Sequence, residues 1–350
     1  MTIRGLFCVA MAIGVSILIS CGHSDTAAPP PTTGSATPLT VGLLVSGSTS
    51  DGGWNQLAKD SLDKLAATEG VKTVVMQSVT KDVAADRMRQ LAEKGCGLVI
   101  GHGYEFLKPA EAVAASGFKA RLAVSGGDEP DPNVACLFYD LSGASYELGV
   151  LAAKVSKTGK LGFIAGAPFP TVTAMLRGFE AGAKSVNPQA TVSASYPGWD
   201  DPSKSKQQAE AYIAQGIDVI MQNVDAASRG VFEAVHEANA KRQGDASYTA
   251  PIVYTFGANS DQNANPVCAD YTLASAVIRM DDAFARLAKA AQDGTFKGGV
   301  INVDLASGIS VAVINPKLKG TVITPEMEAA MEAARKKLVS GEITVPPAPK

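Results

Sequence analysis

From Leu39 onward, short runs rich in β-branched residues alternate with longer stretches whose small and apolar residues return every three or four positions. Side chains repeat every 2 residues along a strand and about every 3.6 along a helix, so the first pattern predicts strands and the second amphipathic helices. In the first half, strands are expected at 39–45, 71–79, 97–102, 121–125 and 134–139, and helices at 54–68 and 83–94. One helix gathers Ala58, Leu62, Leu65 and Ala66 on a single face, and the other Ala84, Met88, Leu91 and Ala92. The rhythm then restarts, with strands at 160–165, 191–196, 217–222 and 252–256 and helices at 171–185, 203–215 and 228–241. Gly95 and Gly216 stand where glycine ends a helix. The segments RQLAEKGCGLVIGHG (89–103) and EAYIAQGIDVIMQNV (210–224) share one plan: helix, glycine, apolar strand, polar loop. Such alternation implies βαβ units, parallel sheets covered on both faces, and two open α/β domains of similar build.

The first twenty residues break this rhythm. Arg4 precedes an uncharged run, Leu6–Ile19. As a helix that run reaches about 21 Å, short of the roughly 30 Å hydrocarbon core, so it reads as an export signal and not as a membrane span. It ends in Leu18-Ile19-Ser20-Cys21, which resembles the bacterial lipoprotein box, where the cysteine thiol is lipidated after cleavage before it. Residues 21–38 follow with no large apolar residue and a Pro-Pro-Pro run, the composition of a tether. The body is thus expected on the extracytoplasmic side of a membrane, held through Cys21. Cys96, Cys136 and Cys268 remain, an odd number for pairing, and no essential disulfide is expected.

Composition removes several function classes. With 31 basic and 34 acidic residues, net −3, the chain lacks the basic face that nucleic-acid binding requires. It has 3 histidines and no CxxC or HExxH, so no metal or other cofactor is expected. No GxSxG elbow or Walker motif is present, and GHGYEF lacks the third glycine of a dinucleotide fingerprint. His102 lies near the candidate cleft as a hydrogen-bonding group but has no triad around it, and His236 falls on a solvated helix face. A binding protein fits better than an enzyme.

Ligands of open α/β sheets bind beyond the carboxyl ends of the strands, and two facing domains make those ends the walls of a cleft. The loops at these ends are 46–56, 101–106, 125–130, 166–171, 197–202, 222–228 and 257–262. The chain's 2 tryptophans, Trp54 and Trp199, fall one in each half within these loops. Aromatics on facing walls can sandwich a flat ring, each stack adding roughly 0.5–1.5 kcal/mol beyond area burial. Asn55, Asp128, Asn223, Asp225 and Asn259, with Ser46 and Tyr104 in the same loops, are candidates for reading the ring's edge. Turn formation and helix capping are the other roles open to the Asn and Asp residues.

Several motifs together resemble the basic membrane protein (Bmp) family, the purine nucleoside receptor-like substrate-binding lipoproteins of ABC transporters. They are Asp51-Gly52-Gly53-Trp54-Asn55-Gln56, the glycine pair of GHGY, Trp199-Asp200-Asp201-Pro202, and Gly257-Ala258-Asn259-Ser260-Asp261-Gln262. The resemblance spans roughly Leu39 to Val345. It implies a periplasmic-binding-protein type I clamshell of two doubly wound lobes joined by three crossings, near Gly143, Tyr271 and Val300. The lobes would be 39–143 with 272–300, including a helix at 273–292, and 144–271 with 301–345, including a C-terminal helix at 325–340. It also implies a base stacked at the Trp54 and Trp199 positions and addressed by Asn55 and Asp128. The family's ribose-binding aspartate is Asn259 here, its lysine near Ile278 is absent, and its glycine-rich loop after the strand 217–222 contains Asp225 here instead. A free purine base is therefore at least as well suited as a nucleoside. The implied partners are a small-molecule ligand and ABC permease and ATPase subunits, with the chain itself a monomer. A tethered sensor of the same fold, or a binder of another planar or sugar-like solute, would share these features.

Overall fold

The computed structural model describes residues 38–346 apart from Ala246 and Tyr248, so the export signal, Cys21 and nearly all of the tether lie outside the described residues. The first half folds as β1 (Thr40–Val45), α1 (Trp54–Glu69), β2 (Lys72–Met76), α2 (Lys81–Glu93), β3 (Leu98–His102), α3 (Leu107–Ala115), β4 (Arg121–Ser125) and β5 (Val134–Tyr139). The second half continues with α4 (Ser142–Val155), β6 (Lys160–Ala165), α5 (Pro170–Val186), β7 (Thr191–Ser195), α6 (Pro202–Ala214), β8 (Val219–Asn223), α7 (Ser228–Gly244), β9 (Tyr254–Asn259) and β10 (Thr272–Ile278). The chain then visits both halves again through α8 (Met280–Gln292), β11 (Gly299–Val303), β12 (Ser310–Ile314) and α9 (Pro325–Val339).

Two six-stranded sheets result, in the orders β11-β5-β4-β3-β1-β2 and β12-β10-β9-β8-β6-β7. Every pairing is parallel except that of β12 with β10. Strand alternation sorts the first sheet's side chains to two cores. Val41, Leu43, Val45, Leu98 and Ile100 pack on the α1/α8 side, and Leu44, Val99, Leu122, Val124 and Cys136 on the α2/α3 side. In the second sheet α6 and α7 cover one face while α4, α5 and α9 cover the other. Both halves of the sequence therefore become covered α/β lobes. Among the described residues no helix is long and apolar enough to cross a membrane.

The sheets correct the expected crossings. Residues 272–278 form a strand between β9 and β12, not the start of a helix, so the second crossing comes after β10, at Arg279, and not near Tyr271. The run Leu273-Ala274-Ser275-Ala276 is buried on both faces, a position where helix-like small residues serve as central-strand packing. The third crossing likewise follows β11, between Val303 and Ser310, and not near Val300. The first, between Tyr139 and Ser142, lies close to the expected place.

Small residues also set how α4 and α5 pack. A Cβ on Gly178 or Gly182 would lie 2.0 Å from the carbonyl oxygen of Ser142 or Tyr146, and one on Gly149 2.1 Å from that of Phe179. The helix backbones are in contact, which only glycine permits at these positions. Beside them the buried Glu147 of α4 receives a bidentate pair from Arg335 of α9, with contacts of 2.9–3.2 Å. This fastens the C-terminal helix to the second lobe.

Candidate functional site

Trp54 opens α1, and the preceding loop is built to place it. Asp51 accepts from the backbone N–H of Gly53 (2.9 Å), Asn55 (3.1 Å) and Gln56 (3.0 Å), satisfying donors that a helix start leaves unpaired. One face of the indole rests on the His102 ring, 4.1 Å between centroids and 26° apart, while Tyr139 meets it edge-on at 5.7 Å.

The hydrogen bonds around His102 fix its tautomer. Nε2 lies 3.0 Å from the Trp54 carbonyl oxygen, which can only accept, so Nε2 carries the proton. Nδ1 must then accept, and it does so from the Ser125 hydroxyl at 2.9 Å, which in turn accepts from Tyr139 at 2.8 Å. The ring is wholly buried, and that burial pushes its pKa down to about 3. His102 is thus a neutral shelf under Trp54, not an acid–base group.

On the second lobe Trp199 lies flat on Gly166, where a Cβ would fall 1.9 Å from Cδ2 of the indole. Phe169 is nearly parallel to it at 6.0 Å and is 51% exposed. The Trp199 carbonyl accepts from Ala227 N–H at 2.9 Å, which ties this loop to the one carrying Asp225. Asn259 donates to Asn223 (3.0 Å) and Asp225 (3.2 Å), and Asn223 donates to the Met175 sulfur at 3.1 Å. Asp225 and Asn259 hold φ of 46° and 64°, a left-handed conformation uncommon outside glycine. Such strain concentrates at binding and catalytic sites.

The lobes touch here. A Cβ on Gly53 would lie 3.0 Å from Cα and Cβ of Asp225, so the first-lobe loop sits directly against the second. Burial at this contact, reinforced by Asp51 and Asp200, raises the Asp225 pKa to about 7. Across the first lobe, Gly126 approaches the Trp54 ring edge, and Asp128 follows with a buried Oδ1 that has no hydrogen-bond partner. Burial is also the main cause of a raised Asp128 pKa.

The expected site residues therefore separate. Asn223, Asp225, Asn259 and Trp199 are linked in the second lobe, and Trp54 and Asp128 stand in the first. Asn55 has its amide engaged inside its own loop, donating to Asp51 at 2.8 Å and accepting from Gly47 N–H at 3.4 Å. Ser46 is exposed, and Tyr104 is exposed with its hydroxyl donating to Glu129 at 2.7 Å. The sequence does not single out the Ser125–Tyr139 support of His102 or the aromatic Phe169. Phe169 carries a signal, as a large aromatic in a cleft loop, whereas Tyr139 reads as an ordinary strand residue. Cys96, Cys136 and Cys268 are buried and free, and His236 is exposed. Among the described residues no group of three or more His, Cys, Asp or Glu could hold a metal ion.

The family model described as "ABC transporter substrate-binding protein PnrA-like" (Bmp) matches residues 39–348. Basic membrane protein A1 of Borrelia garinii is 28% identical over 87% of this chain and 88% of its own length. A purine-binding protein of Brucella abortus is 30% identical over 60% of each chain. An ABC transporter solute-binding protein from Aeropyrum pernix K1 superposes with a TM-score of 0.75 at 22% identity, covering 88% of this chain and 94% of that one. The architecture is the type I periplasmic-binding-protein fold, shared with sugar-binding proteins and LacI-type regulators.

Proposed function

Because the chain belongs to the Bmp family of PnrA-like ABC transporter substrate-binding proteins, which bind rather than transform their ligands, we propose that it captures a purine base or nucleoside between Trp54 and Trp199. The observation that carries this reading is the seating of the two indoles. Trp54 follows Gly53 and Trp199 precedes Asp200, and both neighbours bear on Asp225 where the lobes meet. Each ring is backed by its own lobe, on His102 in one and Gly166 in the other. Rigid aromatic walls suit a flat heterocycle. The purine-binding relative from Brucella supports the same ligand class.

In this mechanism one lobe takes the ligand first, and contact with the other then stabilises the closed form, a hinge motion about the three crossings. A membrane permease and ATPase receive the closed form and supply the energy of transport. The body stays on the extracytoplasmic face through a lipid on Cys21. Trp54→Ala and Trp199→Ala test the site. Base stacking on an aromatic is worth about 1–3 kcal/mol, so each variant should bind adenine or adenosine roughly 5- to 150-fold more weakly. Their ligand-free melting temperatures should stay near wild type. Normal binding by both variants would place the site elsewhere.

A further inference from the structure

The cleft lies at the carboxyl ends of the strands, so each lobe also has an outer end, made by the amino ends of its strands and the loops before them. In the first lobe the described chain begins at that outer end. Gly97 N–H donates to the Thr40 carbonyl at 2.9 Å, and Arg121 N–H to the Gly97 carbonyl at 3.0 Å, so the starts of β1, β3 and β4 lie side by side. Neighbouring strands are about 4.8 Å apart, which puts the Arg121 backbone about 10 Å from Thr40.

A cavity of about 580 Å³ opens here, and its walls include Phe118, Arg121, Pro132, Asn133, Phe296 and Lys297. Arg121 is half-buried, Lys119 and Lys297 are exposed, and none of the three makes an ion pair among the described residues. The acids of the adjoining segments are engaged. Asp131 accepts from the N–H of Asn133 (2.7 Å) and Val134 (3.0 Å), Glu111 pairs with Lys108 at 3.1 Å, and Asp293 pairs with Lys289 at 2.9 Å. Lys72 and Lys94, at the same outer end, closely follow the exposed Glu69 and Glu93 in the chain, so charge is balanced there. The excess of cations is confined to the cavity, beside two half-buried phenylalanines. Cations rimming an apolar recess are the side chains that suit the headgroup and acyl boundary of an anionic membrane.

Resting on the reading of Cys21 as a lipid anchor, we propose that the outer end of the first lobe seats on anionic phospholipid headgroups, with Arg121 and Lys297 holding a headgroup phosphate and Phe118 and Phe296 turned to the acyl boundary. Residues 22–37 join Cys21 to Pro38, and a flexible chain of that length spans about 20–25 Å. That chain joins the body beside the cavity. The second lobe's outer end also carries exposed lysines, Lys157 and Lys184, but the chain does not enter there. The protein as a whole is net −3, so its attraction to an anionic bilayer has to be local. Each cation strengthens partitioning about fivefold, enough for three to orient a tethered body but not to retain a free one. The cleft then stands about 20 Å, one strand length, above the bilayer.

The mature chain, residues 21–350 with Cys21→Ser, tests this without any lipid on the protein, so the result is independent of whether Cys21 is acylated. At low ionic strength it should co-sediment with phosphatidylglycerol vesicles and not with phosphatidylcholine vesicles, and salt should release it. Arg121→Gln and Lys297→Gln should each weaken partitioning about fivefold and together about thirtyfold, with melting temperatures near that of the parent chain. Lys184→Gln, on the second lobe, should change nothing. Absence of binding to phosphatidylglycerol, equal binding to both lipids, or an equal loss in Lys184→Gln would overturn the proposal. Calorimetry with sn-glycerol 3-phosphate separates a membrane headgroup from a free phosphate ester. Binding of that solute, lost in the double variant, by a chain that ignores vesicles would make the cavity a solute site and overturn the membrane assignment.

Discussion

Gly166→Ala adds one methyl group and should silence Trp199 without removing it. Gly166 does not have a positive φ, so alanine fits the backbone. Its Cβ, however, would lie 1.9 Å from Cδ2 and 2.3 Å from Cε2 and Cε3 of the indole. Carbon atoms rest at about 3.5–4.0 Å, so the ring must withdraw by roughly 1.5 Å or more. The Trp199 backbone is held by its bond to Ala227, so the movement falls on the side chain and disturbs the Phe169 stack. Loss of one stacking wall implies about 1–3 kcal/mol, or roughly 5- to 150-fold weaker binding of adenine. Overpacking should cost no more than about 1–3 kcal/mol of stability, because the half-buried ring can move outward. Calorimetry on Gly166→Ala, Trp199→Ala and the double variant measures the coupling. The methyl acts only through the indole, so the double variant should bind like Trp199→Ala alone. Wild-type affinity in Gly166→Ala, or fully additive losses in the double variant, would refute this account.

Asp225 should make the ligand-free protein less stable as pH rises. Its native pKa is raised from 3.8 to about 7 by burial, by Asp51 ahead of α1 and by Asp200 ahead of α6, against the Asn259 amide at the end of β9. An acid raised in this way contributes stability below its unfolded pKa and loses it as pH climbs through the native one. Melting temperature should therefore fall between about pH 4 and 7 through this group. The ceiling is on the order of 4 kcal/mol, and parting of the lobes should limit it further; Asp225→Asn should flatten that part of the profile. Arg335→Ala leaves Glu147, only 1% exposed, without its partner, and should cost about 3–5 kcal/mol in urea unfolding with ligand affinity unchanged. Cys21→Ser should release the protein from membranes and abolish fatty-acid labelling; normal labelling of that variant would remove the anchor assignment.

Local pattern was sufficient for most elements, because helix and strand bury opposite periodicities and this chain keeps them distinct. The faces of α1 and α2 came directly from Ala58, Leu62 and Leu65 and from Ala84, Met88 and Leu91, all of them buried. The cleft loops were legible for the same reason, since the carboxyl ends of parallel strands follow from the strand order. What periodicity could not decide was β10. Its Leu273-Ala274-Ser275-Ala276 run suits either a helix or a central strand, and only β9 and β12 on either side make it a strand.

The site divides along the same line. The loop motifs marked Trp54, Trp199, Asp225 and Asn259, but a motif names residues without saying what each side chain touches. Tertiary packing turned Asn55 inward to its own loop and put neutral His102 beneath Trp54. It also carried Gly53 against Asp225 from the other lobe. Those contacts join segments far apart in the chain, and their geometry depends on how the two sheets are crossed. The sequence determined which loops stand at the carboxyl ends of the strands; close packing within and between the lobes decided what each of their side chains touches.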